Sequence, residues 1–261
     1  MRCYSRFVFG AFACVAASVA PVAAQDVPAL IGGRPGSVEN RGTVGTGVLQ
    51  LEGGFSVKMN PDEDSSRDVT TPGGVVRFGL TRHIEARIGG EGFKYSSASI
   101  EGERIGSHGT SDLYVGAKMI VLDEEHAGIE FSVVPRLSLP TGSEGLTSTG
   151  YDPAVTFAFA RELPLHFDAV SAWTFAAPTI HEEHHREFEG SVGLGRPLTS
   201  RVSVGAEVGR RAPWEEAPVW SVGTGVAFLV ARDVQADVQM GHDVRNGSGW
   251  NFGAGLVLRR R

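Results

Sequence analysis

From Val48 onward apolar residues recur at every second position, the period of a strand with one apolar and one polar face. Between Arg201 and Arg210, Val202, Val204, Ala206 and Val208 alternate with Arg201, Ser203, Gly205, Glu207 and Gly209. Val234, Ala236, Val238 and Met240 stand in the same way against Asp233, Gln235, Asp237 and Gln239. A helix would scatter both sets around its axis, so strands are predicted. The same test predicts twelve of them, at 48–59, 73–80, 84–95, 112–121, 127–139, 153–161, 165–177, 186–196, 201–211, 218–228, 232–242 and 249–259. The run Thr70-Thr71-Pro72-Gly73-Gly74 obscures the entry to the second, and the sixth is carried by Val155, Phe157 and Phe159.

The connections alternate between long and short. Longer loops surround Asn60–Asp64, Gly102–Ser111, Thr141–Asp152, His181–His185, Pro213–Ala217 and Asp243–Gly247. Short turns intervene at Thr81–His83, Asp123–His126, Glu162–Pro164, Pro197–Ser200 and Leu229–Ala231. Six loops and five turns in strict alternation are what an all-β, transmembrane, antiparallel up-and-down barrel of about twelve strands gives when both termini lie on the short-turn side. Closure also removes the edge strands, whose backbone groups would find no partner in hydrocarbon.

What precedes the alternation changes the setting. Arg2 and Arg6, an apolar run from Phe7 to Ala20 and the small residues Ala23-Ala24 predict a cleaved secretion signal over residues 1–24. Residues 25–46 are rich in Gly, Pro and Arg, show no period and read as a periplasmic lead-in to a barrel over 47–261. Cys3 and Cys14 both fall in the signal, which excludes disulfides, thiolate metal sites and cysteine nucleophiles from the mature chain. Loss of Arg2 and Arg6 moves the formal net charge from −6 to −8, so no basic footprint for nucleic acid is present. No apolar stretch beyond the signal is long enough for a spanning helix, and the mature chain can enter a bilayer only as strands.

Four blocks occur in order: Gly45-Thr46-Gly47-Val48-Leu49 with Leu51-Glu52-Gly53-Gly54, Arg77-Phe78-Gly79-Leu80-Thr81 with Ile84–Gly89, Asp112–Lys118, and Leu137–Ser143. Together they resemble the outer-membrane family called "putative MetA-pathway of phenol degradation". The resemblance implies a transporter-like, porin-like barrel of the bacterial outer membrane that takes up small hydrophobic or aromatic solutes. Its implied partners are outer-membrane lipid, a small-molecule solute and the outer-membrane assembly machinery. The chain departs from such barrels at its end, where Leu258-Arg259-Arg260-Arg261 stands in place of the aromatic residue that the machinery reads.

If the apolar faces meet lipid, the ionised faces meet in the lumen. Glu52, Arg77, Glu85, Arg87, Lys118, Glu130, Arg136, Arg201, Glu207 and Asp237 fall there by parity, as do Lys58, Glu91, Asp168 and Glu189. Two readings follow: a structural or interaction barrel with a lumen closed by ion pairs, or a constriction built on Arg77, Arg87, Lys118 and Arg136 that selects permeant solutes. Phe55, Phe78, Phe131, Phe157, Trp173, Phe175, Trp220, Phe228, Trp250 and Phe252 share the outward parity and predict interfacial girdles. His181-Glu182-Glu183-His184-His185 offers zinc-type donors with no fourth ligand or scaffold, so no metal or other cofactor is expected. His166 and Asp168 form an i, i+2 pair, but an outer-membrane hydrolase would need a nucleophile and an oxyanion site that no spacing supplies; no catalytic residue is expected.

Overall fold

A computed structural model describes residues 30, 32–33, 38–60, 66–100, 103–144, 146–180, 183–213 and 215–261. The expected signal and much of the lead-in lie outside the described residues. The strands in chain order are β1 (Leu49–Asn60), β2 (Ser66–Gly79), β3 (Ile84–Gly90), β4 (Phe93–Ile100), β5 (Glu103–Thr110), β6 (Leu113–Leu122), β7 (Glu130–Leu139), β8 (Asp152–Leu163), β9 (Phe167–Ala176), β10 (Thr179–Ile180), β11 (Glu183–His184), β12 (Glu187–Pro197), β13 (Val202–Ala212), β14 (Val219–Ala231), β15 (Val234–Arg245) and β16 (Trp250–Arg260).

The wall runs β1-β16-β15-β14-β13-β12-β9-β8-β7-β6-β3-β2, and β2 pairs back onto β1. Leu49 lies opposite Arg260 on one side and Phe78 on the other, so twelve antiparallel strands close without an edge. The fold is the closed antiparallel barrel that the alternation and the loop lengths predict.

Three departures from the predicted elements have local causes. Strand β2 starts at Ser66 rather than near residue 73, because the sheet continues across Pro72 through a register shift between Gly54 and Ser56 of β1. The expected loop at 102–111 is instead the β4–β5 hairpin, in which β4 prolongs β3 beyond the break at Glu91-Gly92. Before β7 the chain forms one turn of helix, α1 (Glu124–Ala127): the Asp123 carboxylate caps it at the Glu125 N–H, and Gly128 ends it in the left-handed region.

The outer face is apolar and exposed, as Leu51, Phe55, Ile88, Trp173, Val192 and Leu256 illustrate. Aromatic side chains contact one another along it from Phe131 through Phe157, Phe175 and Phe188, and stack again from His242 through Trp250 to Phe252. Gln50, Glu52, Arg77, Glu85, Lys118 and Asp237 are buried and lie on inward positions. A polar interior inside an apolar exterior is the arrangement that a lipid bilayer selects.

Candidate functional site

The short-turn half of the lumen holds the chain's own lead-in. Glycine makes this possible: Gly45 and Gly47, at φ +91° and +72°, turn the chain sharply into β1, and the Val48 N–H bonds to the Gly45 carbonyl at 3.2 Å. Residues before the turn therefore lie inside the ring of strands, with Val38, Thr43 and Val44 buried.

An extended segment with no neighbouring strand must find other partners for its backbone donors, and three wall carboxylates supply them. Glu52 on β1 accepts from the Gly33 N–H at 2.6 Å, Glu85 on β3 from Val44 at 2.9 Å, and Glu130 on β7 from Gly42 at 2.9 Å. Wall cations hold the segment's acceptors. Arg87 grips Glu39 through two parallel hydrogen bonds, at 2.9 and 2.6 Å, and Lys118 donates to the Asn40 carbonyl.

The wall charges also hold one another. Arg77 donates to Glu85 at 2.8 Å and to Glu52 at 2.7 Å, while Arg87 reaches Glu85 at 2.7 Å. Charges this deeply buried are tolerable only when paired and hydrogen-bonded, and this cluster meets both conditions. Burial alone would raise the Glu39 pKa; the Arg87 guanidinium, helped by Lys118 and Arg77, outweighs it and holds the carboxyl well below its ordinary value.

Two further contacts complete the seat. Val38 packs on Ala158, Ala172 and Val170 of the far wall. At the short-turn rim Arg41 lies 2.9 Å from Glu124, 3.4 Å from Glu162 and 3.4 Å from Asp168. Above the segment a cavity of ≈ 670 Å³ extends toward the long loops, floored by Glu39, Glu52 and Arg87 and walled by Lys58, Asp68 and Lys94.

Of the ten residues expected to line the lumen, Glu52, Arg77, Glu85, Arg87, Lys118 and Glu130 meet in this one cluster. Arg136 stands on the inner face of β7, nearer the long loops. Glu207 and Asp237 face inward from β13 and β15 across the barrel. Arg201 lies in the exposed turn before β13. Glu39 and Arg41 were not singled out from the sequence, since an aperiodic stretch has no parity to read. Arg77, Arg87 and Lys118 accumulate on three neighbouring strands, but Glu52, Glu85 and Glu130 on the same arc match them in number, so the charges gave no signal of a further carboxylate.

The remaining candidates separate in space. Strand β9 begins at Phe167, leaving His166 in an exposed turn 3.3 Å from Glu162, whereas Asp168 faces inward to Arg41. His181 and Glu182 of the zinc-type run lie outside the described residues, and His184 is near the Ala177 carbonyl in the β10–β11 hairpin. Among the described residues, Asp123, Glu125 and His126 also gather ligand-type atoms, on an exposed turn where Asp123 already caps α1.

Comparison with known proteins agrees with this geometry. The family model described as "Putative MetA-pathway of phenol degradation" matches residues 32–259 and so includes the lumen segment. An outer membrane channel from Pseudomonas putida F1 superposes with a TM-score of 0.61 at 14% identity, covering 87% of this chain and 99% of that one. The translocator domain of the autotransporter NalP from Neisseria meningitidis gives 0.50 at 12% identity, over 83% of this chain and 89% of that one. No curated protein sequence matches. The likeness to these structures is one of fold: a closed barrel of the bacterial outer membrane.

Proposed function

The chain belongs to the family described as "Putative MetA-pathway of phenol degradation", and from that premise we infer that it is a passive outer-membrane route for small, hydrophobic or aromatic solutes. The observation that carries this reading is the chemical asymmetry of the inner wall. Inward charges of β1, β3, β6 and β7 hold the lead-in segment. The opposite arc carries small side chains among its acids: Ala154, Thr156, Ala158, Ala160 and Ala172 on β8 and β9, with Val38 of the segment packed on two of them, then Gly193, Gly205 and Gly223 beside Glu189 and Glu207 on β12, β13 and β14. A path along the small side chains that Val38 leaves uncovered would suit a solute of low charge. Arg136, on the inner face of β7, would screen solutes from the long-loop side.

The test is uptake. Cells that lack the protein should take up a labelled small aromatic compound several-fold more slowly than cells that carry it, and the purified barrel should give small stepwise currents in planar bilayers. Equal uptake together with no current would overturn the reading.

A second reading is favoured by one observation: the buried ion-paired segment occupies the short-turn half. On this reading the lumen is closed and the barrel is structural, with its loops as the working surface. Removal of residues 26–40 separates the two. A channel would gain conductance, and a structural barrel would lose stability without transporting anything. Catalysis is not proposed, because His166 is exposed and Asp168 is engaged by Arg41.

A further inference from the structure

The outer face of the wall has a charge pattern of its own. By strand register, the Arg, Lys, Asp and Glu side chains that share the outer face of the twelve wall strands are Arg67, Arg161, Arg196, Arg210, Arg245 and Arg260. Every carboxylate of those strands lies on inward positions, from Glu52 on β1 to Asp243 on β15. Desolvation does not choose this sign, because near the surface of a bilayer a carboxylate costs no more than a guanidinium. An anionic partner does choose it.

The pattern is densest at the long-loop end of β13, β14 and β15. Arg210 and Arg245 are the direct cross-strand partners of Trp220, one on each side. Their backbones are two strand spacings apart, roughly 10 Å, and both side chains can reach a group resting over the indole. The Arg210 guanidinium is already poised there, 5.9 Å from the Trp220 ring and 5.8 Å from that of Phe188. Its inward neighbour Arg211 faces Glu187 at 3.8 Å, so the acids of this region pair inside the barrel rather than outside. Glu215 and Glu216 belong to the exposed loop beyond the strand ends.

We propose that Arg210, Trp220 and Arg245 form a docking site for the phosphorylated sugar headgroup of an outer-leaflet glycolipid. The guanidinium groups would hold a phosphate bidentately, and Trp220 with Phe188 would pack against the sugar and the first acyl carbons. Long loops mark the outer side of such barrels, which places this rim at the leaflet where that lipid resides. Arg161 and Arg196 face the opposite leaflet from the short-turn end, where Arg196 lies 5.0 Å from the Phe167 ring.

Native mass spectrometry of the full barrel released from detergent micelles tests this, with diphosphorylated lipid A, its dephosphorylated form and inorganic phosphate as probes. The unaltered protein should retain lipid A, and the Arg210→Gln/Arg245→Gln double variant should bind it at least about tenfold more weakly. An Arg161→Gln/Arg196→Gln control should bind as the unaltered protein does. Should the double variant fail the heat-modifiable mobility test for a folded barrel, each single variant is expected to weaken binding by a smaller factor. Equal retention of lipid A by the folded variants, equal retention of the dephosphorylated lipid, or displacement by inorganic phosphate would each overturn the proposal.

Discussion

Arg87 of the barrel wall and Glu39 of the lead-in segment face each other through two hydrogen bonds, Nη1–Oε2 at 2.9 Å and Nη2–Oε1 at 2.6 Å. The pair joins the wall to the chain inside it, and the neighbouring contacts, Gly33 to Glu52 and Val44 to Glu85, reinforce the same attachment.

Removing one partner of a buried, hydrogen-bonded pair costs about 3–5 kcal/mol where the other charge is left uncompensated. Glu39→Gln should therefore loosen the segment, at less than that full cost because Arg87 keeps Glu85 and Lys118 keeps Glu130. Single-channel recording should show a larger and noisier current than the unaltered barrel gives. An unchanged current trace would mean that the segment is held elsewhere.

A pH dependence follows from the same residue. The folded pKa of Glu39 lies below its ordinary 4.5, so its contribution is complete above that value and is lost only as pH falls through the depressed one. Conductance and protease resistance of the segment should be constant from about pH 7 to 5 and should change only under strongly acidic conditions. A transition near neutrality would assign the hold to another group.

How far the sequence disclosed this molecule differed from strand to strand. In β13 and β15 the parity of Val202–Val208 and Val234–Met240 is unbroken, because one face meets lipid and the other the lumen along the whole span. The β4–β5 hairpin was unreadable for the converse reason: Lys94, Ser96, Ser97 and Ser99 fall on both faces of β4, which pairs with β5 in an extension beyond the twelve-stranded ring. Pro72 masked the start of β2 because a residue without an N–H looks like a strand breaker, although at a register shift it breaks nothing. The inward position of Arg87 and Lys118 was legible by parity, but the carboxylate they share was not. Glu39 sits in a segment with neither strand nor helix period, and its position is fixed by distant residues rather than by its neighbours in sequence.

Arg41 offers a contrast with Arg87. Its side chain is about one-third exposed and its carboxylate partners are exposed to a similar degree, so water and salt screen all three contacts. Arg41→Ala should cost less than about 1 kcal/mol in urea unfolding of the micelle-bound barrel. Its effect should vanish at high ionic strength, while that of Arg87→Ala should persist.

Gly79 closes the turn that sends the segment inward. A Cβ built on it would lie 1.7 Å from the Gly45 carbonyl oxygen, a backbone atom that cannot swing aside as a side chain could. Gly79→Ala should force the Gly45–Gly47 turn away from β2 and destabilise the folded barrel by about 1–3 kcal/mol, measured by the same unfolding assay. An unaltered midpoint would show that the turn has room to move.

If solutes pass along the arc of small residues, filling that arc should obstruct them without disturbing the wall. Gly205 suits the purpose: it is on the inner face of β13, and an added Cβ would approach only the Leu194 carbonyl oxygen at 3.7 Å and the Gly195 Cα at 3.9 Å, both ordinary contacts. Gly205→Phe should fold and insert normally, because the ring enters lumen space rather than the packed sheet. Uptake of a small aromatic compound by cells carrying this variant should fall to near the rate of cells without the protein, while Val204→Phe, on the lipid-facing side of the same strand, should leave it unchanged. If both variants transport at the original rate, solutes do not travel between the segment and β13, and the chemical asymmetry of the inner wall serves only to seat the segment.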